Sequence, residues 1–235
     1  MKHIFLFLAF VGLLVLKTNA QTRHESTGWF LFMNNTKLTE KWGFYADLQL
    51  RSGDKWANVR NFMFRPGITY YANSKNEITL GYLLNNTYLH VEGVSDNVLN
   101  EHRIWEQYVY KHKLNTVAFS HRFRLEQRFI DRLGREDLFA QRFRYFVRGI
   151  IPIAKDAKSF NEGLFVALQN EVFLNLQNKS QLNGDVFDQN RAYVALGYRL
   201  SKKLDIEAGY LNQAIKGAAA NTVNNVLQVA VYTRF

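Results

Sequence analysis

From Val117 to Ile150 the chain alternates between apolar and polar side chains at every second position. One parity of the first arm reads Val117, Phe119, His121, Phe123, Leu125, Gln127, Phe129, and the other reads Ser120, Arg122, Arg124, Glu126, Arg128. The second arm sets Phe139, Phe143, Tyr145 and Val147 against Arg142, Arg144 and Arg148. A period of two puts alternate side chains on opposite faces of a β-strand. The pair therefore reads as a hairpin, greasy and aromatic on one face and arginine-rich on the other.

The same period recurs along the chain. Trp42, Phe44, Ala46, Leu48 and Leu50 alternate with Tyr45, Asp47, Gln49 and Arg51; Ile78, Leu80, Tyr82 and Leu84 alternate with Glu77, Thr79, Gly81 and Asn85. Arg103, Trp105 and Gln107 oppose Ile104, Tyr108 and Tyr110. Later strands follow from Leu164, Asn190, Leu204 and Leu227, the last ending on Phe235. Gly28 to Met33 reads as a first, wholly apolar strand, and Val59 to Tyr71 as a strand with a bulge or rim position at Pro66-Gly67. Short polar turns alternate with longer polar loops.

A soluble β-sandwich and a membrane barrel can both carry such ribbons. Strands of roughly 10 to 15 residues through nearly the whole chain, alternating turn lengths and aromatic residues near the ends of the apolar stripes favour the barrel. The expected fold is all-β: an antiparallel up-and-down transmembrane β-barrel. Direct reading yields about eleven strands; the even numbers of single-chain bacterial barrels select twelve, with ten as the alternative. Terminal Phe235 matches the aromatic signal read by the barrel insertion machinery of the outer membrane.

Composition narrows the setting. Lys2 and His3, the apolar run Ile4 to Leu16 and small residues ending at Ala20 read as a cleaved signal peptide over residues 1–20, with the barrel over 21–235. The chain has no cysteine, so neither disulfides nor a lipoprotein anchor are expected. Loss of Lys2 and Lys17 lowers the formal charge from +10 to +8. An exported basic protein meets lipid head groups and anionic solutes rather than nucleic acid.

The polar parity is the candidate site. In a barrel the apolar parity must face lipid, because a charge there costs about 2–4 kcal/mol at the midplane. Arg122, Arg124, Arg128, Arg142, Arg144 and Arg148 then point into the lumen, joined by Arg51, Arg103, Arg191 and Arg199. Glu126 beside Arg142 or Arg144, and Glu171 beside Arg191, are the expected pairs in a rigidifying network. Arginine rings also line anion pores, so a narrow, porin-like passage for small anionic solutes can coexist with that network. A lipid-acting enzyme is the competing class, but Ser120 and His121 are adjacent in one strand and face opposite sides. Neither a hydrolase nor a phosphate-loop motif is present, nor a metal-spaced cluster, so no catalytic residue, metal or cofactor is assigned. A soluble periplasmic binding sandwich is the remaining alternative.

Arg122-Phe123-Arg124-Leu125-Glu126-Gln127-Arg128-Phe129, Arg142-Phe143-Arg144, Asn170-Glu171-Val172-Phe173, Gln189-Asn190-Arg191, Gly197-Tyr198 and Glu207-Ala208-Gly209-Tyr210 follow one another in a characteristic order. With Lys37-Leu38-Thr39-Glu40-Lys41-Trp42-Gly43, they make the chain resemble the domain of unknown function 2490, an uncharacterised family of bacterial outer-membrane proteins. The resemblance implies an integral outer-membrane barrel in contact with lipid, and no established activity.

Overall fold

The computed structural model describes residues 22–89, 97–153 and 160–235; the expected signal peptide lies outside the described residues. Eleven strands close into one barrel: β1 Thr22–Lys37, β2 Trp42–Ser52, β3 Val59–Tyr71, β4 Asn76–Leu89, β5 Asn97–Leu114, β6 Val117–Ile130, β7 Leu138–Pro152, β8 Gly163–Asn175, β9 Phe187–Ser201, β10 Leu204–Ile215 and β11 Asn221–Arg234. Each strand pairs antiparallel with its sequence neighbours, and β1 closes on β11 in parallel, from Thr22↔Asn221 to Asn35↔Arg234. Closure leaves no edge strand with unpaired backbone groups.

The count corrects the expectation of twelve or ten. With an odd number of up-and-down strands, the first and last run in the same direction, so the seam can only be parallel. β1 is one long strand that extends beyond the apolar Gly28–Met33 segment at both ends. The seam continues to the last residue: Lys37 N–H donates to the Phe235 carbonyl at 2.6 Å, and Phe235 N–H donates to Asn35 at 3.0 Å.

Phe123, Leu168 and Val229 are exposed on the outside of the wall, and among the described residues no second sheet covers the apolar face. The sandwich alternative is therefore excluded as an architecture. Connections 38–41, 72–75, 115–116 and 202–203 gather at the end where β1 and β11 finish; 53–58, 131–137, 176–186 and 216–220 lie at the opposite end. Within 53–58, Ser26 N–H donates to Asp54 at 2.8 Å and holds that exposed carboxyl below its usual range.

Pro66 makes no bulge. The β3–β4 register is the same on either side, Phe64↔Leu84 and Gly67↔Gly81, and the ladder passes over Arg65 and Pro66. Proline has no N–H to donate there. The indole of Trp105 lies across this stretch: a Cβ on Gly81 would stand 2.2 Å from its Cζ2, and one on Gly67 would stand 3.0 Å from its Cη2. On the far side of the lumen Phe165 lies over Gly197 in the same way. Trp105, with Tyr45, Met63 and Leu83, and Phe165, with Tyr193, Leu211 and Val226, form two apolar clusters inside the wall.

Replacing Gly81 by valine should overpack the Trp105 seat and lower unfolding stability by about 1–3 kcal/mol. At Gly149 the nearest side chain is an outer-face phenylalanine, Phe119, 3.3 Å from the added Cβ; alanine there should cost much less. Denaturant curves in detergent, followed by tryptophan fluorescence, check the order.

Candidate functional site: an arginine-lined lumen

The register of β5 to β9 stacks charged residues on the inner face. Glu126 on β6 stands opposite Arg142 on β7 and Trp105 on β5, and Arg124 stands opposite Arg144 and Gln107. Period-two strands in register thus bring residues distant in sequence into one buried belt.

Glu126 is fully buried at the centre. Its Oε2 accepts from Arg142 Nη2 at 2.7 Å and Nε at 3.0 Å, and its Oε1 accepts from Arg144 Nη1 at 2.5 Å. Arg103 Nη1 approaches it at 3.5 Å. Arg144 also donates to Glu171 from Nε and Nη2 at 2.9 and 2.7 Å, and Arg122 Nη2 reaches the same oxygen at 2.6 Å. Glu101 accepts a fork from Arg103 at 2.7 and 2.8 Å and a bond from Arg128 at 2.5 Å. Asp188 binds the remaining end of Arg142 at 2.8 Å. Fork geometry and charge assistance make these the strong class of hydrogen bond. Glu101, Glu126 and Glu171 each hold more than one guanidinium, which keeps the belt compact where unpaired charge would be costly.

Toward the short-turn end Arg148 pairs with Glu207, and Asp205 holds Arg199 in a fork at 2.8 and 2.9 Å together with Arg234 at 2.8 Å. Asp47 pairs with Arg65 at 2.6 Å and accepts from the Tyr45 hydroxyl at 2.5 Å. Fully buried Arg124 donates to Gln107 at 2.6 Å and stacks on Trp105 at 4.4 Å, with Glu126 no nearer than 3.9 Å.

Two arginines stand apart. Among the described residues, Arg51 and Arg191 have no carboxylate within 4.0 Å. Both lie over the ring of Trp29, at 3.8 and 5.1 Å from its centroid, and each bonds to the glutamine two residues earlier, Gln49 and Gln189. The Nε of Arg51 is buried with no acceptor. Glu171, expected beside Arg191, is its direct cross-strand neighbour but is taken by Arg122 and Arg144; Arg191 turns instead to Trp29 and to Phe173, at 4.6 Å. Phe173 also lies under the carboxylate-paired Arg142 and Arg144; for Arg51 and Arg191 aromatic faces stand in for the missing anions.

A cavity of about 600 Å³ runs beside this array. Its walls include Arg51, Arg191 and eight further arginines, with Glu77, Glu171 and Asp188 as the acidic members. A second cavity, at the short-turn mouth, shares Asn35, Glu77, Lys111 and Arg234 with the first.

All the arginines expected in the lumen are there, together with Glu126 and Glu171. Asp188, Trp29 and Phe173 are members of the site that the alternation does not single out; Phe173 shares the parity of Glu171 and Asn175, a usable signal. Ser120 lines the cavity, whereas His121 lies outside, with its Nδ1 2.9 Å from the Tyr145 hydroxyl and its ring stacked on His112. Among the described residues no group of three His, Cys, Asp or Glu is placed to hold a metal.

Fold and interior together define a closed β-barrel with a charged, mostly cationic core. The chain belongs to the family described as "Protein of unknown function (DUF2490)", which matches residues 26–224. Neither a curated protein nor a solved structure matches it.

Glu126→Gln should destabilise the barrel by about 3–5 kcal/mol, because it leaves several buried guanidinium groups uncompensated. The Glu77–Lys111 pair is open to solvent on the lysine side, so Glu77→Gln should cost under about 1 kcal/mol. Urea unfolding of the two variants in the same detergent measures the contrast.

Proposed function

We propose that this chain is an integral β-barrel of the bacterial outer membrane whose lumen is a narrow, anion-selective passage for small solutes. The observation that carries the reading is the long cavity whose wall holds Arg51 and Arg191 without carboxylate partners. Guanidinium groups facing a narrow water-filled space raise the local concentration of anions and repel cations. Paired arginines of the belt hold the wall rigid and leave these two to meet the solute.

The outer surface supports the membrane setting. Phe30, Phe64, Ile68, Leu80, Leu196 and Leu227 are exposed around the wall, as an apolar band in contact with lipid requires. In this setting the short turns face the periplasm and the longer loops face outward. The separation of Ser120 from His121 across the wall favours a non-enzymatic role over lipid hydrolysis.

In planar bilayers under a potassium chloride gradient, the purified protein should conduct with a reversal potential on the chloride side. The Arg51→Gln, Arg191→Gln double variant should move that potential toward zero while leaving the barrel folded. A closed or cation-selective barrel contradicts the passage. Membranes should release the protein into detergent but not into alkaline carbonate; release by carbonate contradicts the membrane setting itself.

A further inference from the structure

The outer face of β5 to β7 carries one carboxylate among its mostly apolar side chains. Glu106 shares the parity of Ile104 and Tyr108 and is exposed on the outside of the wall, flanked in register by Leu80 and Leu125. Its Oε2 accepts from Gln127 Nε2 at 3.1 Å. Gln127 Oε1 is buried with no donor. Directly across from Gln127 stands Gln141 on β7. A carboxylate and two carboxamides thus sit together on a face whose other members include Phe123, Leu125, Phe129 and Phe143.

Aromatic rings locate this group in the wall. Phe129 and Phe139 pair at 5.2 Å between ring centroids toward the long-loop end, and His112 and Phe119 stack at 5.2 Å toward the short-turn end. The stretch of β6 from Phe119 to Phe129, at about 3.4 Å per residue and tilted about 40°, rises about 25 Å, the height of an outer-membrane apolar band. Leu125 is near its middle, and Glu106 is its register partner. Hydrocarbon offers no donor to the exposed Glu106 carboxylate, and an ionisable side chain at such a depth is retained where it has a protein partner.

We propose that this patch is the interface of a two-fold dimer with a second copy of the chain. The argument rests on the membrane setting above and is independent of conduction. The patch is self-complementary: Glu106 only accepts, while the amide groups of Gln127 and Gln141 can donate. A two-fold axis along the membrane normal sets each carboxylate against the amides of the other copy, so one contact is made twice. The surrounding phenylalanines and leucines then pack against their counterparts in place of lipid.

The chain has no cysteine, so a single Leu125→Cys substitution reports on this face alone. Oxidised in native membranes, that variant should form a disulfide-linked dimer, and the wild type in mild detergent should have the mass of two chains. Glu106→Leu with Gln127→Leu should weaken the dimer at least about tenfold, roughly 1.4 kcal/mol, while the heat-sensitive mobility of a folded barrel persists. If the double variant does not fold, Gln141→Leu alone should still lower the dimer fraction. A monomeric wild type, a dimer indifferent to these substitutions, or cross-linking of Leu125→Cys only to a different protein would overturn the proposal. Release of the wild type by carbonate would instead remove the membrane setting beneath it.

Discussion

A sheet that closes on itself satisfies its backbone along every strand, and it then allows each residue only two destinations, outside or inside. That constraint explains how a chain can be strongly basic and strongly aromatic without a conventional core. The apolar parity goes out, and arginines fill the inside. Parallel closure of β1 on β11 completes the wall with an odd number of strands, so the whole alternation is preserved around the barrel with no break at the seam.

Inside, the competing terms are the cost of burying guanidinium charge and the scarcity of acids to balance it. Glu101, Glu126 and Glu171 are each shared among arginines on neighbouring strands, and Asp188 reaches in from the start of β9 to complete Arg142. Where acids run out, Trp29, Trp105 and Phe173 supply ring faces. A ring face is a weaker partner than a carboxylate, and it leaves hydrogen-bonding capacity unused. That inequality separates the carboxylate-paired belt from Arg51 and Arg191, the two arginines on which the proposed anion passage rests.

The alternation of β6 and β7 is plain in the sequence because both parities are chemically pure, and their adjacency alone brings Glu126 to Arg142 and Arg144. The first strand is harder to bound: Gly28 to Met33 is apolar on both faces, so Trp29 gives no sign that it points inward, and the polar residues before it carry no clean alternation. Twelve strands followed from a parity rule that assumes antiparallel closure. Glu171 lies opposite Arg191 as register predicts, but register names neighbours and not which of several arginines captures a carboxylate. Glu106 could have been noticed, since it interrupts the parity of Ile104 and Tyr108, yet its meaning depends on the depth that only the assembled wall assigns.

Everything rests on the apolar parity facing lipid and the arginine parity facing water. A spin-label scan along β9, one residue at a time from Arg191 to Arg199 in lipid vesicles, measures this directly, away from the proposed dimer face. Collision with oxygen, which dissolves in the bilayer, should peak at Val194, Leu196 and Tyr198, and collision with a water-soluble nickel chelate should be confined to the Arg191 and Arg199 parity. Equal access of the chelate to both parities would contradict the account.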